Sequence, residues 1–256
     1  MKQKIAIFIR GHERNSFKKE YMRIFLEKID MFYDFDLYIH TWNVSEAKMS
    51  WRTLDYSNLR KIDERCIRDY FYKFNDKLKL VIIDDDRNIK LEQTTDGTLM
   101  NTPMKKLPWK NMWYGKKRLI DSISEPIEYK FILNTRFDYF CRIHDKNEDP
   151  IKSMDSIISN IFWNHDENFF GFINQSTLDL YNSDIDYSNK QKYGAVDNMY
   201  VSNYENMKNL IYWFHFHLDD ILIIYEDKNI LVHETIVFME AKKIDNYSYG
   251  KKIGIY

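Results

Sequence analysis

Tyr129-Lys130-Phe131-Ile132-Leu133-Asn134-Thr135-Arg136-Phe137-Asp138-Tyr139-Phe140 is the stretch whose reading decides the fold. Its apolar run, from Phe131 to Leu133, is short and continuous, the pattern of a strand buried on both faces. It ends in Asn134, Thr135, Arg136 and Asp138, polar groups with no reason to follow a strand into a core. In open α/β sheets, ligands bind in the crevice outside the carboxyl ends of the strands. An arginine and an aspartate two residues apart at such an end suit two readings. One is a centre holding an anionic ligand together with a divalent cation; the other is an Arg–Asp ion pair that closes the strand.

Upstream, Ile5 to Ile9 is a second continuous apolar run, read as a first, central strand. It stops at Arg10-Gly11-His12-Glu13-Arg14-Asn15-Ser16. Gly11 permits a tight turn with close backbone approach, and Ser16 can cap a helix that begins beside it. From Phe17 the pattern is helical, with Tyr21, Ile24, Phe25, Lys28 and Ile29 on one face. Strand, basic loop and helix come in succession, so a helix N-terminus beside Arg10 and Arg14 is expected to bind a diphosphate. The multiple glycines of a dinucleotide fingerprint or P-loop are missing. Two surface arginines and a turn glycine are the plainer alternative.

Asp36 to Thr41, continuing into Trp42, reads as a second strand, and Leu78 to Ile83 as a third, with a charged helix from Leu59 to Phe74 between them. The third strand runs into Asp84-Asp85-Asp86, either oxygen ligands for Mg²⁺ or Mn²⁺ or a solvated acidic turn. Ile89 to Leu107 reads as a loop of a length that is often functional. Trp109 to Lys117 opens a helix whose Trp, Tyr and Lys residues suit stacking on a base and meeting phosphates. Past Asp138 the pattern is less regular. Helices are expected over Pro150 to Ile161, Tyr204 to Leu218 and Thr235 to Lys243, and strands at Phe169 to Phe172 and beside Gly194 to Ser202. Thr177 to Tyr193 reads as a polar loop and Tyr247 to Tyr256 as an edge strand.

The chain has 256 residues, enough for one substantial core. Its net charge of −1 carries none of the basic excess that nucleic-acid binding needs. Cys66 and Cys141 lack metal-ligand spacing and read as free thiols of a reducing compartment. The run after Met1-Lys2-Gln3-Lys4 is too short for a signal peptide, and no run approaches a membrane span. A cytoplasmic protein is therefore expected, with peripheral membrane contact left open. Strands alternate with helices, which points to one α/β domain over 1–256 with a mixed, mainly parallel central sheet flanked by helices.

Several short motifs, in order, resemble GT-A-type nucleotide-sugar glycosyltransferases, especially the small enzymes of bacterial polysaccharide clusters and large DNA viruses. They are Ile7 to Arg14, Asp36 to Trp42, Asn111 to Gly115, Thr135 to Asp138, Asp197 to Ser202 and His233 to Thr235. The resemblance implies a Rossmann-like GT-A domain, its residues 1–140 binding the nucleotide-sugar and 141–256 the glycan or glycoconjugate acceptor. It implies that Arg10, Gly11, Arg14 and Arg136 hold the nucleotide and diphosphate, with Trp42, Met112 and Tyr114 near the base or ribose. It places a Mn²⁺ or Mg²⁺ ion on Asp138, with Arg136 standing where the family's first acidic residue would be. Asp197 and Glu234 fall at the acceptor-side acidic positions, candidates for the catalytic base. A viral chain of this kind would work in the host cytoplasm. Two other readings stay open: a metal-dependent phosphoesterase or nuclease built on Asp84 to Asp86, and a non-catalytic carbohydrate-binding protein with a transferase-like fold.

Overall fold

A computed structural model of the chain describes residues 2–46, 60–99, 105–144, 149–162, 170–173, 180–181, 198–228, 230 and 232–244. The N-terminal part runs β1 (Lys4–Arg10), α1 (Tyr21–Asp30), β2 (Asp34–Trp42), α2 (Glu64–Tyr70), β3 (Leu78–Asp84), α3 (Leu107–Ile120) and β4 (Ile132–Arg136). The remainder runs α4 (Tyr139–His144), α5 (Pro150–Phe162), β5 (Phe170–Ile173), β6 (Leu180–Tyr181), β7 (Tyr200–Ser202), α6 (Tyr204–Glu226) and α7 (His233–Ile244). One seven-stranded sheet has the order β3-β2-β1-β4-β7-β5-β6. The long pairings among β3, β2, β1 and β4 are parallel, and the short ones from β4 through β7 and β5 to β6 are antiparallel. This is the expected α/β architecture.

Alternation of side chains along the strands divides the core into two layers. Ile5, Ile7 and Ile9 of β1, with Phe35, Leu37 and Ile39 of β2, pack against α1, α2, α4 and α5. Ala6 and Phe8, with Tyr38 and Ile132, pack against α3, α6 and α7. Both faces of β1 are covered, which explains why it reads as an unbroken apolar run.

The order also fixes where a ligand fits. From β1 the chain adds β2 and β3 on one side, then crosses through α3 to place β4 on the other. Such a reversal opens a crevice at the carboxyl ends of the two strands that flank it. Here those strands are β1 and β4, and their last paired residues are Arg10 and Arg136.

Several local expectations shift. The helix after the first strand starts at Tyr21, not Phe17; Ser16 opens a separate 3-10 turn, its hydroxyl bonded to the Glu13 carbonyl. The second helix is only Glu64–Tyr70, capped by Asp63, and is succeeded by a 3-10 turn. α4 was not expected: the pattern past Asp138 reads as irregular, yet Tyr139 and Phe140 are buried against α1 and α5. α6 extends past Leu218 to Glu226 across a kink at His217. Leu180 and Tyr181 of the expected polar loop pair with β5; 182–193 and the tail 247–256 lie outside the described residues. Cys66 and Cys141 are free thiols.

α3 approaches β2 so closely that Gly115 touches the His40 ring. A Cβ there would lie 2.6 Å from His40 Nδ1 and 2.9 Å from Cε1. Gly115→Ala should therefore cost about 1–3 kcal/mol, the usual range for overpacking, read as a lower urea midpoint. An unchanged midpoint would show that α3 does not need this approach.

Candidate functional site

The loop after β1 is fastened at several points before any ligand is considered. Gly11 has φ +92°, a left-handed conformation that glycine adopts without strain. Its N–H donates to the His40 carbonyl (3.1 Å), and its own carbonyl accepts from Thr41 Oγ1 (3.0 Å). Arg14 and Asn15 also have positive φ, 49° and 66°. Arginine gains nothing locally from that region, where a side chain costs roughly 1–2 kcal/mol. Glu13, fully buried, receives the Phe17 N–H (2.9 Å) and Arg60 Nη2 (2.6 Å), so the turn is held from inside.

The arginine held in this strained turn reaches across the crevice. Arg14 Nη1 donates to Asp138 Oδ2 at 3.0 Å. From β4, Arg136 donates to the same carboxylate in a two-point fork, Nε to Oδ1 and Nη2 to Oδ2, both 2.8 Å. Arg136 Nη1 also donates to Asn198 Oδ1 at 2.9 Å, and Arg10, buried behind, donates from Nε to Asn134 Oδ1 at 3.3 Å. Glu46 stands 3.7 Å from Arg14 Nε. Two guanidinium groups thus meet two carboxylates, and a third, that of Arg10, meets the Asn134 amide. His12 adds no charge: burial, with a smaller push from Arg14, brings it down to about 3.

Beside this cluster lies an aromatic wall. The Trp42 and Tyr114 rings stack at 6.2 Å with 22° between planes, and His12 and His40 flank Trp42. Trp42 is buried and Tyr114 half-buried. Met112 does not join them. Two residues turn a helix by about 200°, and Met112 packs into the apolar cluster on the α6 side of α3.

The expected helix N-terminus is absent from the cluster, because the 3-10 turn separates Arg14 from α1; the positive charge comes from side chains alone. Glu234 sits in the first turn of α7, half-buried, next to His233, whose ring is 3.4 Å from that of Trp109. Asp197 lies outside the described residues. The acidic triplet is split: Asp84 accepts from His40 Nε2 (3.2 Å) and meets Arg118 (3.3 Å), while Asp85 is bound by Arg87. Asp86 is raised by burial and by the neighbouring Asp85 charge.

A divalent cation on Asp138 does not fit this setting. Both carboxylate oxygens already accept guanidinium N–H groups. A dication about 4 Å from one guanidinium is repelled by about 8 kcal/mol at an effective dielectric constant near 20, and here there are two. Among the described residues no group of three or more His, Cys, Asp or Glu is placed to hold a metal.

Sequence reading missed His12, Glu13 and Asn198 as parts of this site. Lys116, one of the Trp109 to Lys117 residues expected to meet phosphates, is instead buried in α3 with its ammonium 3.6 Å from the Trp113 ring and 4.9 Å from that of Tyr200. Only the position of His12 and Glu13 between Arg10 and Arg14 marked them. The chain matches no protein-family model and no curated protein sequence. Among the described residues no helix is long and apolar enough to cross a membrane.

The buried histidines give a pH signature. His12 falls to about 3 and His215 to about 4, and His40 and His233 are also lowered, in every case chiefly by burial. Unfolding returns each to its ordinary value of 6.5, so the unfolded chain binds more protons below that pH. Stability should drop as pH falls from about 6.5 toward 5, by up to about 1.4 kcal/mol per pH unit for each of His12, His40 and His233 and by less for the half-buried His215, before most carboxylates titrate. Chemical denaturation at pH 7, 6 and 5 measures this; equal stability would mean that these rings are hydrated.

Proposed function

We propose that this protein is a glycosyltransferase that moves a sugar from a nucleotide-sugar donor to a glycan or glycoconjugate acceptor. One observation carries the reading: Arg10, Arg14 and Arg136 gather at the carboxyl ends of β1 and β4, beside the Trp42–Tyr114 stack. A nucleotide-sugar needs an anion cradle for its diphosphate and an aromatic surface for its base or ribose, and these elements lie side by side at the reversal of strand order.

In the proposed reaction an acceptor hydroxyl attacks the anomeric carbon, the bond to the diphosphate breaks, and the nucleoside diphosphate leaves with added negative charge. Guanidinium groups fixed before the reaction stabilise that charge without reorganising. Arg14 and Arg136 serve this role, with Arg10 adding positive potential from behind. Where the reaction inverts the anomeric centre, a carboxylate takes the hydroxyl proton. Asp197 and Glu234 remain the two candidates; the half-buried place of Glu234 at a helix start also suits a helix-stabilising acid.

The test is a thermal-shift screen of UDP-, GDP-, CMP- and dTDP-linked sugars, then transfer assays on the ligand that stabilises. Tyr114→Ala should weaken binding of that donor about 5- to 30-fold, the worth of one stacked ring at about 1–2 kcal/mol. Asp197→Asn or Glu234→Gln, whichever removes the base, should lower turnover by at least about 100-fold with donor binding intact. Failure of every nucleotide-sugar to stabilise the protein would overturn the reading.

A further inference from the structure

We propose that the donor's diphosphate is bound without a divalent cation, by Arg14 and Arg136, and that Asp138 serves as their positioning residue. The proposal rests on the glycosyltransferase reading for the identity of the ligand, and on the geometry around Asp138 for the absence of metal.

Accessibility decides which groups an incoming ligand meets. The Asp138 side chain keeps only 6% of its surface exposed, against 21% for Arg14 and 17% for Arg136. Both arginine side chains are thus more open than the carboxylate that joins them. A metal ligand presents the reverse arrangement, with its oxygen toward the site and cations behind it. Donor capacity agrees. A guanidinium carries five N–H groups and no acceptor. Arg136 commits Nε, one N–H of Nη1 and one of Nη2 to Asp138 and Asn198, leaving a second N–H on each terminal nitrogen. Arg14 spends one N–H on Asp138, and its Nε approaches Glu46 only to ion-pair distance.

The carboxylate between them has a clear purpose in this arrangement. Two guanidinium groups aimed at one diphosphate repel each other when it is gone. Asp138 offsets that repulsion and fixes both planes, so the cradle stands ready with N–H groups still uncommitted. Two phosphoryl groups in series match two guanidinium groups joined at one carboxylate better than a single small anion does.

The test titrates nucleotide-free protein with inorganic pyrophosphate and with UDP, GDP, CDP and dTDP by calorimetry, in excess EDTA and again with Mn²⁺. A parallel Mn²⁺ titration is read by electron paramagnetic resonance. The expected results are binding in EDTA with Kd within about threefold of the Mn²⁺ value, and no uptake of Mn²⁺ by the nucleotide-free protein. Arg136→Ala should weaken pyrophosphate at least tenfold in both conditions. Asp138→Asn should weaken it by the same factor with EDTA as with Mn²⁺, because it disturbs only the alignment of the arginines, and far-UV circular dichroism confirms that the variant folds. Nucleotide binding that requires Mn²⁺, or Mn²⁺ uptake lost in Asp138→Asn, overturns the inference while leaving the transferase reading intact. Pyrophosphate binding in EDTA that no nucleoside improves supports the cation-free cradle and counts against the nucleotide donor. Absence of any binding overturns both.

Discussion

The carboxylate of Asp138, shared between Arg136 on its own strand end and Arg14 on the loop after β1, is the interaction on which the rest of the site depends. It is a direct charged link across the β1–β4 crevice, joining residues 124 apart in sequence. Breaking a buried charged pair by removing one partner is costly, because the other charge is left uncompensated. Here two charges would be left facing each other. The left-handed backbone at Arg14 and Asn15 is strain of the kind that persists only where surrounding contacts over-determine it. Those contacts are the buried Glu13 carboxylate on one side and Asp138 on the other.

Topology supplies the place and packing supplies the precision. Reversal of strand order between β2 and β4 leaves the crevice beside β1, and the parallel register sets Arg10 next to Arg136 across it. α3 must then lie close enough to β2 for Tyr114 to reach Trp42. Gly115 allows this, since any larger residue would meet the His40 ring. His40 is in turn oriented by Asp84, so one member of the acidic triplet stabilises the wall of the site instead of holding a metal.

The fold was legible in the sequence wherever one strand or helix had a single job. β1, β2 and β4 are runs buried within the sheet and under helices, and such runs read the same in any context. α4 was illegible because Tyr139 and Phe140 follow the polar strand end with too few residues to show a helical period; their burial against α1 and α5 is what marks them in the structure. At the site, Arg10, Arg14 and Arg136 stood out because a strand end gives charge no structural excuse. The pattern lacked the direction of each group. A motif of one arginine and one aspartate does not say which faces the crevice, and accessibility reverses the obvious assignment.

Charge counting shows why an arginine at position 136, beside Asp138, is coherent with the proposed chemistry. A pair of carboxylates holding a dication has a net charge of zero until a diphosphate arrives. Arg14, Arg136 and Asp138 together carry +1, and Arg10 lies behind them. The positive potential is written into the chain, because a guanidinium stays protonated at any pH a folded protein meets, and it does not depend on a supply of metal. The loss is the Lewis acidity of a dication, which polarises a single oxygen strongly. Directed N–H bonds spread over several oxygens compensate where the departing charge is itself spread over a diphosphate. Such a cradle gains from rigidity more than from extra charge, and rigidity is supplied together by the fork between Arg136 and Asp138, the Asn198 contact and the strained turn at Arg14.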